Sequence, residues 1–135
     1  MTRGKAPRCA VIRSGEAYEG KQGLTYLAGL TGASVGTRAI CMTVLTLPPG
    51  ARAKTHLHRG IETAAYVIEG EAAMAYGPRL EDRLAARAGD YVYVPADTPH
   101  LVFNPTDAPC VAVVAHTAAD DQEGIVLLPE LDGLV

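Results

Sequence analysis

Gly50-Ala51-Arg52-Ala53-Lys54-Thr55-His56-Leu57-His58-Arg59-Gly60-Ile61-Glu62 and, further along, Gly89-Asp90-Tyr91-Val92-Tyr93-Val94-Pro95-Ala96-Asp97-Thr98-Pro99-His100-Leu101-Val102-Phe103-Asn104 hold three of the four histidines of this chain. His56 and His58 are two residues apart, so an extended Lys54–His58 segment projects both rings from one face, because strand side chains alternate. Two imidazoles on one face are half a metal site. Glu62 follows close enough to return across a turn into the same space, and Tyr66 and Ile68 share its parity along the next run. His100 opens a third run after Thr98-Pro99, with Val102 and Asn104 on its face. Three neutral imidazoles and one carboxylate suit a divalent Mn, Fe, Ni, Co or Zn ion, and an octahedral ion so held keeps two positions for water or substrate. A closed structural zinc site would more often use cysteine. A His-x-His pair alone is common on exposed strands and carries no such weight by itself.

Outward from these stretches the punctuation is that of an all-β chain. The 14 glycines and 9 prolines recur at intervals that suit short strands joined by turns. Ala39–Leu47 is rich in β-branched residues and stops at Pro48-Pro49-Gly50, which cannot continue a ladder. Thr63–Ile68 and Ala72–Tyr76 flank Glu69-Gly70-Glu71 and read as a hairpin. Tyr91–Val94, Leu101–Phe103 and Val111–His116 are further strands, while Leu80–Arg87 reads as an irregular or extended connection. No repeat occurs. The least patterned part is the beginning, so residues 1–38 are expected to form an N-terminal arm and first strands, 39–118 the barrel, and 119–135 a C-terminal strand or tail.

Composition narrows the function. The chain has 135 residues, enough for one domain. Twelve basic and fifteen acidic residues give a net charge of −3 and show no basic stripe, which disfavours nucleic acid as a partner. No apolar run approaches the roughly 18 residues needed to cross a bilayer, and no apolar stretch follows the charged start, so a cytoplasmic protein without a membrane partner is expected. Cys9, Cys41 and Cys110 are widely spaced and odd in number; they support no disulfide framework and read as free buried thiols.

The order and internal spacing of Gly50, His56, His58, Glu62 and Gly70, and of Gly89, Pro95, His100 and Asn104, closely resemble the two motifs of the cupin superfamily over about Thr43–His116. Two departures stand out. Seven residues rather than six separate Glu62 from Gly70, and Asp97 stands where the second motif has glycine, a substitution Asp tolerates because it accepts left-handed backbone geometry. The resemblance implies a single-domain jelly-roll barrel, a double-stranded β-helix of six strands, with His56, His58, Glu62 and His100 as ligands of one divalent transition metal ion. Asn104 is expected to hydrogen-bond at a strand end. His116 belongs to neither motif and is expected to be structural.

A barrel of this size holds one small ligand. Tyr66, Met74, Tyr76, Tyr93 and Phe103 are candidates for its lining, and Arg38 and Arg52 for anchoring an anion. Cupins run many chemistries, and no acid or base outside the ligand set is identifiable, so fold alone does not choose among them. The leading expectation is a metal-dependent enzyme acting on a small oxygenated metabolite, dioxygenase-like first and isomerase or decarboxylase second. The alternative is a metal-containing small-molecule binding or sensing protein without turnover. Gly124–Pro129 is too apolar for water and is expected to pack on the barrel or on a partner subunit in a homodimer.

Overall fold

The computed structural model describes residues 6–135, so the first five residues of the expected N-terminal arm lie outside it. Strand formation follows the alternation of side chains. In β3 (Cys41–Leu47), Cys41, Thr43, Leu45 and Leu47 are buried while Met42, Val44 and Thr46 face outward. β10 (Cys110–His116) repeats the pattern with Cys110, Ala112, Val114 and His116 inward, and the two strands pair antiparallel from Cys110↔Leu47 to His116↔Cys41. The remaining strands are β1 (Ala17–Glu19), β2 (Thr25–Leu30), β4 (His56–His58), β5 (Thr63–Glu69), β6 (Glu71–Tyr76), β7 (Asp82–Arg87), β8 (Tyr91–Val94), β9 (His100–Phe103) and β11 (Ile125–Leu127), with one short helix α1 (Gly32–Val35).

Two antiparallel sheets face each other in a jelly roll, ordered β1-β2-β3-β10-β5-β8 and β11-β4-β9-β6-β7. Their inner faces bury a core that includes Leu24, Tyr26, Leu45, Leu47, Val67 and Val114. Eight strands, β3 to β10, lie between Cys41 and His116, two more than the six expected.

Three expectations are corrected here. Thr63–Ile68 and Ala72–Tyr76 are strands but not a hairpin, since β5 pairs with β10 and β8 while β6 pairs with β7 and β9 in the other sheet. The crossing happens at Gly70, whose φ of +78° is in the left-handed region. Leu80–Arg87 is not an irregular link: β7 pairs with β6 over six positions, from Glu71↔Arg87 to Tyr76↔Asp82. Its polar, charge-rich sequence is that of an edge strand, which gains solubility and resists further pairing by carrying charges. Of the three thiols, Cys41 and Cys110 are buried but Cys9 is exposed, and burial pushes the Cys41 thiol up to about 11.

The C-terminal stretch closes the structure. β11 pairs with the histidine strand β4 through Ile125↔His58, Val126↔Leu57 and Leu127↔His56. A 3-10 turn follows, Pro129–Leu134, and Arg52 donates to the backbone oxygens of Val135 (2.7 Å) and Asp132 (2.6 Å). Arg52 is thereby committed to holding this tail. Leu131 and Val135 cover a small outer cluster of Ala75, Leu80 and Leu101, against which Phe103 also packs. None of the described helices is long and apolar enough to cross a membrane.

Candidate metal centre

His56 and His58 lie in β4 and His100 opens β9, with His56 directly opposite His100 in the register. This pairing, together with the two-residue period of β4, brings three rings to one place on the inner wall of the barrel. Their ligand atoms all lie within 4.8 Å of one another, and all three residues are buried. The ring centroids of His56 and His100 are 4.3 Å apart, and those of His56 and His58 5.1 Å.

Hydrogen bonds set the rings for donation to a metal. Nδ1 of His56 is 2.8 Å from the Lys54 carbonyl oxygen, and Nδ1 of His100 is 2.9 Å from that of Thr98. A carbonyl only accepts, so Nδ1 carries the proton in both rings and Nε2 keeps its lone pair. Such backbone partners orient metal-binding histidines and raise their basicity. His58 Nδ1 is buried; the Glu123 backbone lies near the ring, but no hydrogen bond to Nδ1 closes among the described residues. Burial holds every ring neutral: His56 falls well below its ordinary value, His58 is pushed down to about 3 by burial and the neighbouring His116 and His100 rings, and burial lowers His100 too. Neutral, desolvated imidazoles with free lone pairs and an unpartnered buried nitrogen are a donor set that fits a divalent transition ion.

Glu62 is not brought to this place. It is exposed, and Oε1 accepts a 2.5 Å hydrogen bond from the Tyr93 hydroxyl on the outer face. Strand parity explains it. Thr63, Ala65 and Val67 of β5 line the interior, so Glu62, one residue out of step, shares the outward side with Ala64 and Tyr66. A one-residue shift in a strand exchanges its faces. The seven-residue gap from Glu62 to Gly70 was the sign of this, since Thr63 stands at the six-residue spacing.

His116 occupies the space beside the three rings and is the site residue that the sequence reading missed. It is buried on the inner face of β10 opposite Thr63, its Nδ1 is 2.8 Å from the Thr63 hydroxyl, and its ring centroid is 4.7 Å from that of His58. Burial lowers its pKa, partly opposed by the nearby Asp121 carboxylate. All four histidines therefore converge. The signal was its parity with Ala112 and Val114, small apolar residues that suit an inward face.

The rings line an interior cavity of about 100 Å³ whose other walls are mainly aliphatic, including Leu45, Leu47, Met74, Val94 and Val114. Of the expected lining, Met74 is present. Tyr66 and Tyr93 are exposed on the outer face, Tyr76 borders a separate groove with Tyr93, and Phe103 packs outside the barrel. The aromatic residue that does line the cavity is Tyr26, from β2. Arg38 is exposed.

The second motif builds the loop that presents His100. Asp97 adopts φ +61°, its Oδ1 accepts from the Gly60 amide at 2.9 Å, and its own amide donates to the His58 carbonyl at 3.0 Å. It thus ties the loop before His100 to the turn after His58. Asn104 is buried and donates through Nδ2 to the carbonyls of Leu47 (3.0 Å) and Ala108 (2.8 Å), which leaves it no part in the cavity.

A family model described as "Cupin domain" matches residues 43–116, the segment from β3 to β10. Comparison with curated proteins gives no significant match. Among solved structures, protein TT1209 from Thermus thermophilus is 27% identical with a TM-score of 0.55, the match covering 61% of this chain and 75% of that one. A variant of Bacillus subtilis oxalate decarboxylase is 26% identical with a TM-score of 0.67, covering 84% of this chain but only 30% of that one. Oxalate oxidase in complex with the substrate analogue glycolate shares the fold, at 23% identity and TM-score 0.67, covering 81% of this chain and 57% of that one. The motifs, the jelly roll and the matched segment from Thr43 to His116 agree, and the chain belongs to the cupin family.

Proposed function

We propose that this cupin is an enzyme that holds one divalent transition metal ion on His56, His58 and His100 and acts on a small carboxylate, keto acid or hydroxy acid. The observation that carries the reading is the convergence of three neutral, buried imidazoles, with ligand atoms within 4.8 Å of one another, on the wall of a mainly aliphatic cavity. The cavity sets the scale of the substrate: a void of about 150 Å³ admits benzene, so about 100 Å³ suits a molecule of a few heavy atoms. The likeness to oxalate decarboxylase, whose name states a two-carbon diacid, supports a carboxylate of that size. A bound ion would supply Lewis acidity toward a carbonyl or carboxylate oxygen and, if redox-active, electron transfer.

The chain's own residues do the rest. Aliphatic walls exclude water, which strengthens each polar contact inside. With Nδ1 engaged by Thr63, His116 offers Nε2 to the ligand beside His58. Mn, Fe, Ni, Co and Zn all accept three imidazoles, and oxidative or decarboxylating chemistry ranks ahead of isomerisation.

Metal analysis of tag-free protein tests the centre. About one transition ion per chain is expected, falling to near zero in His58→Ala and staying near one in Glu62→Ala. Full metal content in His58→Ala, or its loss in Glu62→Ala, would overturn the assignment. Oxygen uptake and product analysis with a panel of small keto, hydroxy and dicarboxylic acids test turnover. Tight binding of an unchanged acid without turnover would instead establish the second reading, a metal-containing binding protein.

The homodimer belongs to the same proposal, at a different surface from the one the sequence suggested. The apolar Gly124–Pro129 stretch is used within the chain as β11, whereas the outer face of the first sheet exposes Ala64, Tyr66, Ile68, Tyr91 and Tyr93 on the neighbouring strands β5 and β8, and Met42 on β3 beyond β10. Val113↔Tyr66 and Tyr66↔Tyr91 make one continuous apolar row across it. A face of this kind pairs with its own copy about a two-fold axis. Light scattering is expected to give twice the chain mass for the native protein and the monomer mass for Tyr66→Glu; a monomeric native protein would remove the dimer.

A further inference from the structure

We infer that Gln22 and Tyr26 form a recognition subsite in the wall of the histidine cavity, positioning a carbonyl or carboxylate oxygen of the ligand by two hydrogen-bond donors; the inference rests on the metal-centre reading above. Both residues line the cavity and are buried, at 2% and 4% exposure. They lie at its histidine end, since the Gln22 carbonyl accepts from the Lys54 amide at 2.7 Å and Lys54 in turn anchors Nδ1 of His56. Polar side chains in a buried aliphatic wall demand partners, and accounting for each atom shows which groups remain unused.

The chain of bonds begins at Asp121, a carboxylate with 3% exposure. Gln122 Nε2 donates to Asp121 Oδ2 at 2.9 Å, while Gln122 Oε1 accepts from the Lys21 amide at 2.7 Å. Reversing this amide would set oxygen against carboxylate and NH2 against N–H, so its orientation is fixed. Gln122 Nε2 also donates to Gln22 Oε1 at 3.2 Å, which makes that atom the acceptor end of Gln22. Gln22 Nε2 consequently donates to the Tyr26 hydroxyl oxygen, at 2.7 Å. Each step is forced by the one before it. The Tyr26 proton cannot lie on the side occupied by the Gln22 donor, and no described residue accepts it. Burial raises the Tyr26 pKa, so the phenol remains a donor across the working pH range. Gln22 has a second Nε2 hydrogen, likewise uncommitted.

Packing shows that this arrangement is built rather than incidental. A Cβ at Gly20 would stand 2.5 Å from Gln22 Oε1 and 2.8 Å from both Gln122 Nε2 and the Tyr26 ring, so glycine lets the backbone pass close to the pair without displacing these side chains. The Tyr18 ring stacks on Tyr26 with centroids 5.7 Å apart, and burial together with the neighbouring Asp121 carboxylate raises the pKa of its hydroxyl. An O–H and an N–H aimed from a rigid apolar wall select an oxygen acceptor, which a carboxylate or ketone offers and a hydrocarbon lacks.

The test uses the full chain loaded with Co(II) and titrated with glycolate, a two-carbon hydroxy acid, following the cobalt absorption bands. Tyr26→Phe is expected to bind one cobalt with an unchanged spectrum while its glycolate Kd rises about ten- to hundredfold, the loss of one donor to a charged acceptor. Gln22→Met, a second variant of similar volume, is expected to weaken glycolate in the same way. An unchanged Kd in both variants, or no glycolate binding by cobalt-loaded native protein, overturns the subsite and leaves the metal centre standing. Native protein that takes up no cobalt overturns the metal centre and the subsite with it.

Discussion

Gly70→Ala is expected to lower folding stability by about 3–4 kcal/mol and the melting temperature by about 10 °C or more, the sum of a left-handed backbone cost and an overpacking cost. Gly70 sits at φ +78°, and an added Cβ would press into the Pro109 carbonyl oxygen and stand 2.9 Å from Cys110 Cα, both backbone atoms that cannot swing aside. Gly89→Ala provides the control. Its φ of +97° is as unfavourable, but nothing lies within 4 Å of its Cβ position, so only the conformational cost of about 1–2 kcal/mol is expected. Thermal unfolding of both variants separates the two terms. Equal losses would mean that the chain at Pro109 moves away freely and that the crossing from β5 to β6 is not held as described.

Gly70 also shows how much of the fold was legible in the sequence. Alternation and turn residues sufficed to place β3, β5, β6, β8, β9 and β10, because each carries period-2 apolar positions bounded by Gly or Pro. They did not say which sheet each strand enters. A turn at Glu69-Gly70-Glu71 is equally compatible with a hairpin and with a crossing between sheets, and the choice is made by non-local pairing of β5 with β10. β7 was missed for a related reason: its arginines and aspartate satisfy solvent at a sheet edge, and only Leu84 and Ala86 lean toward the interior.

The candidate site was legible as far as spacing carried it. His56 and His58 shared a face because two residues separate them, and His100 joined them because β9 pairs with β4. Glu62 shows where spacing fails. Its distance from His58 allowed it to turn inward, yet the register of β5 was set by the apolar Ala65 and Val67, and that register sends Glu62 to the surface. Parity with Ala112 and Val114 turned His116 inward, but for His116 as for Tyr26 no local pattern distinguishes a site side chain from a core one. His116 acquires its role from Thr63, far away in sequence, and Tyr26 from the nearby Gln22, whose orientation is set by the distant Gln122.

Four buried histidines make the metal-free protein acid-sensitive, and the sign follows from their depressed pKa values. An unfolded histidine takes up a proton near pH 6.5, whereas the folded chain keeps these rings neutral, so the unfolded state binds more protons as pH falls and stability falls with it. Stability is full above about pH 6.5 and is lost below it. For His58, held near 3, the loss at pH 5 is about 2 kcal/mol and continues down to its folded value. Each further ring that stays neutral adds about 1.4 kcal/mol per pH unit in the same direction. Denaturant unfolding of chelator-treated protein is therefore expected to show a steep fall between pH 7 and pH 5, before surface carboxylates titrate. Only neutral rings can donate to a metal, so a bound ion opposes their protonation and should move the fall to lower pH. A flat stability profile from pH 7 to pH 5 in the metal-free protein would show that the rings accept protons in place and would overturn the depressed values of His56, His58, His100 and His116.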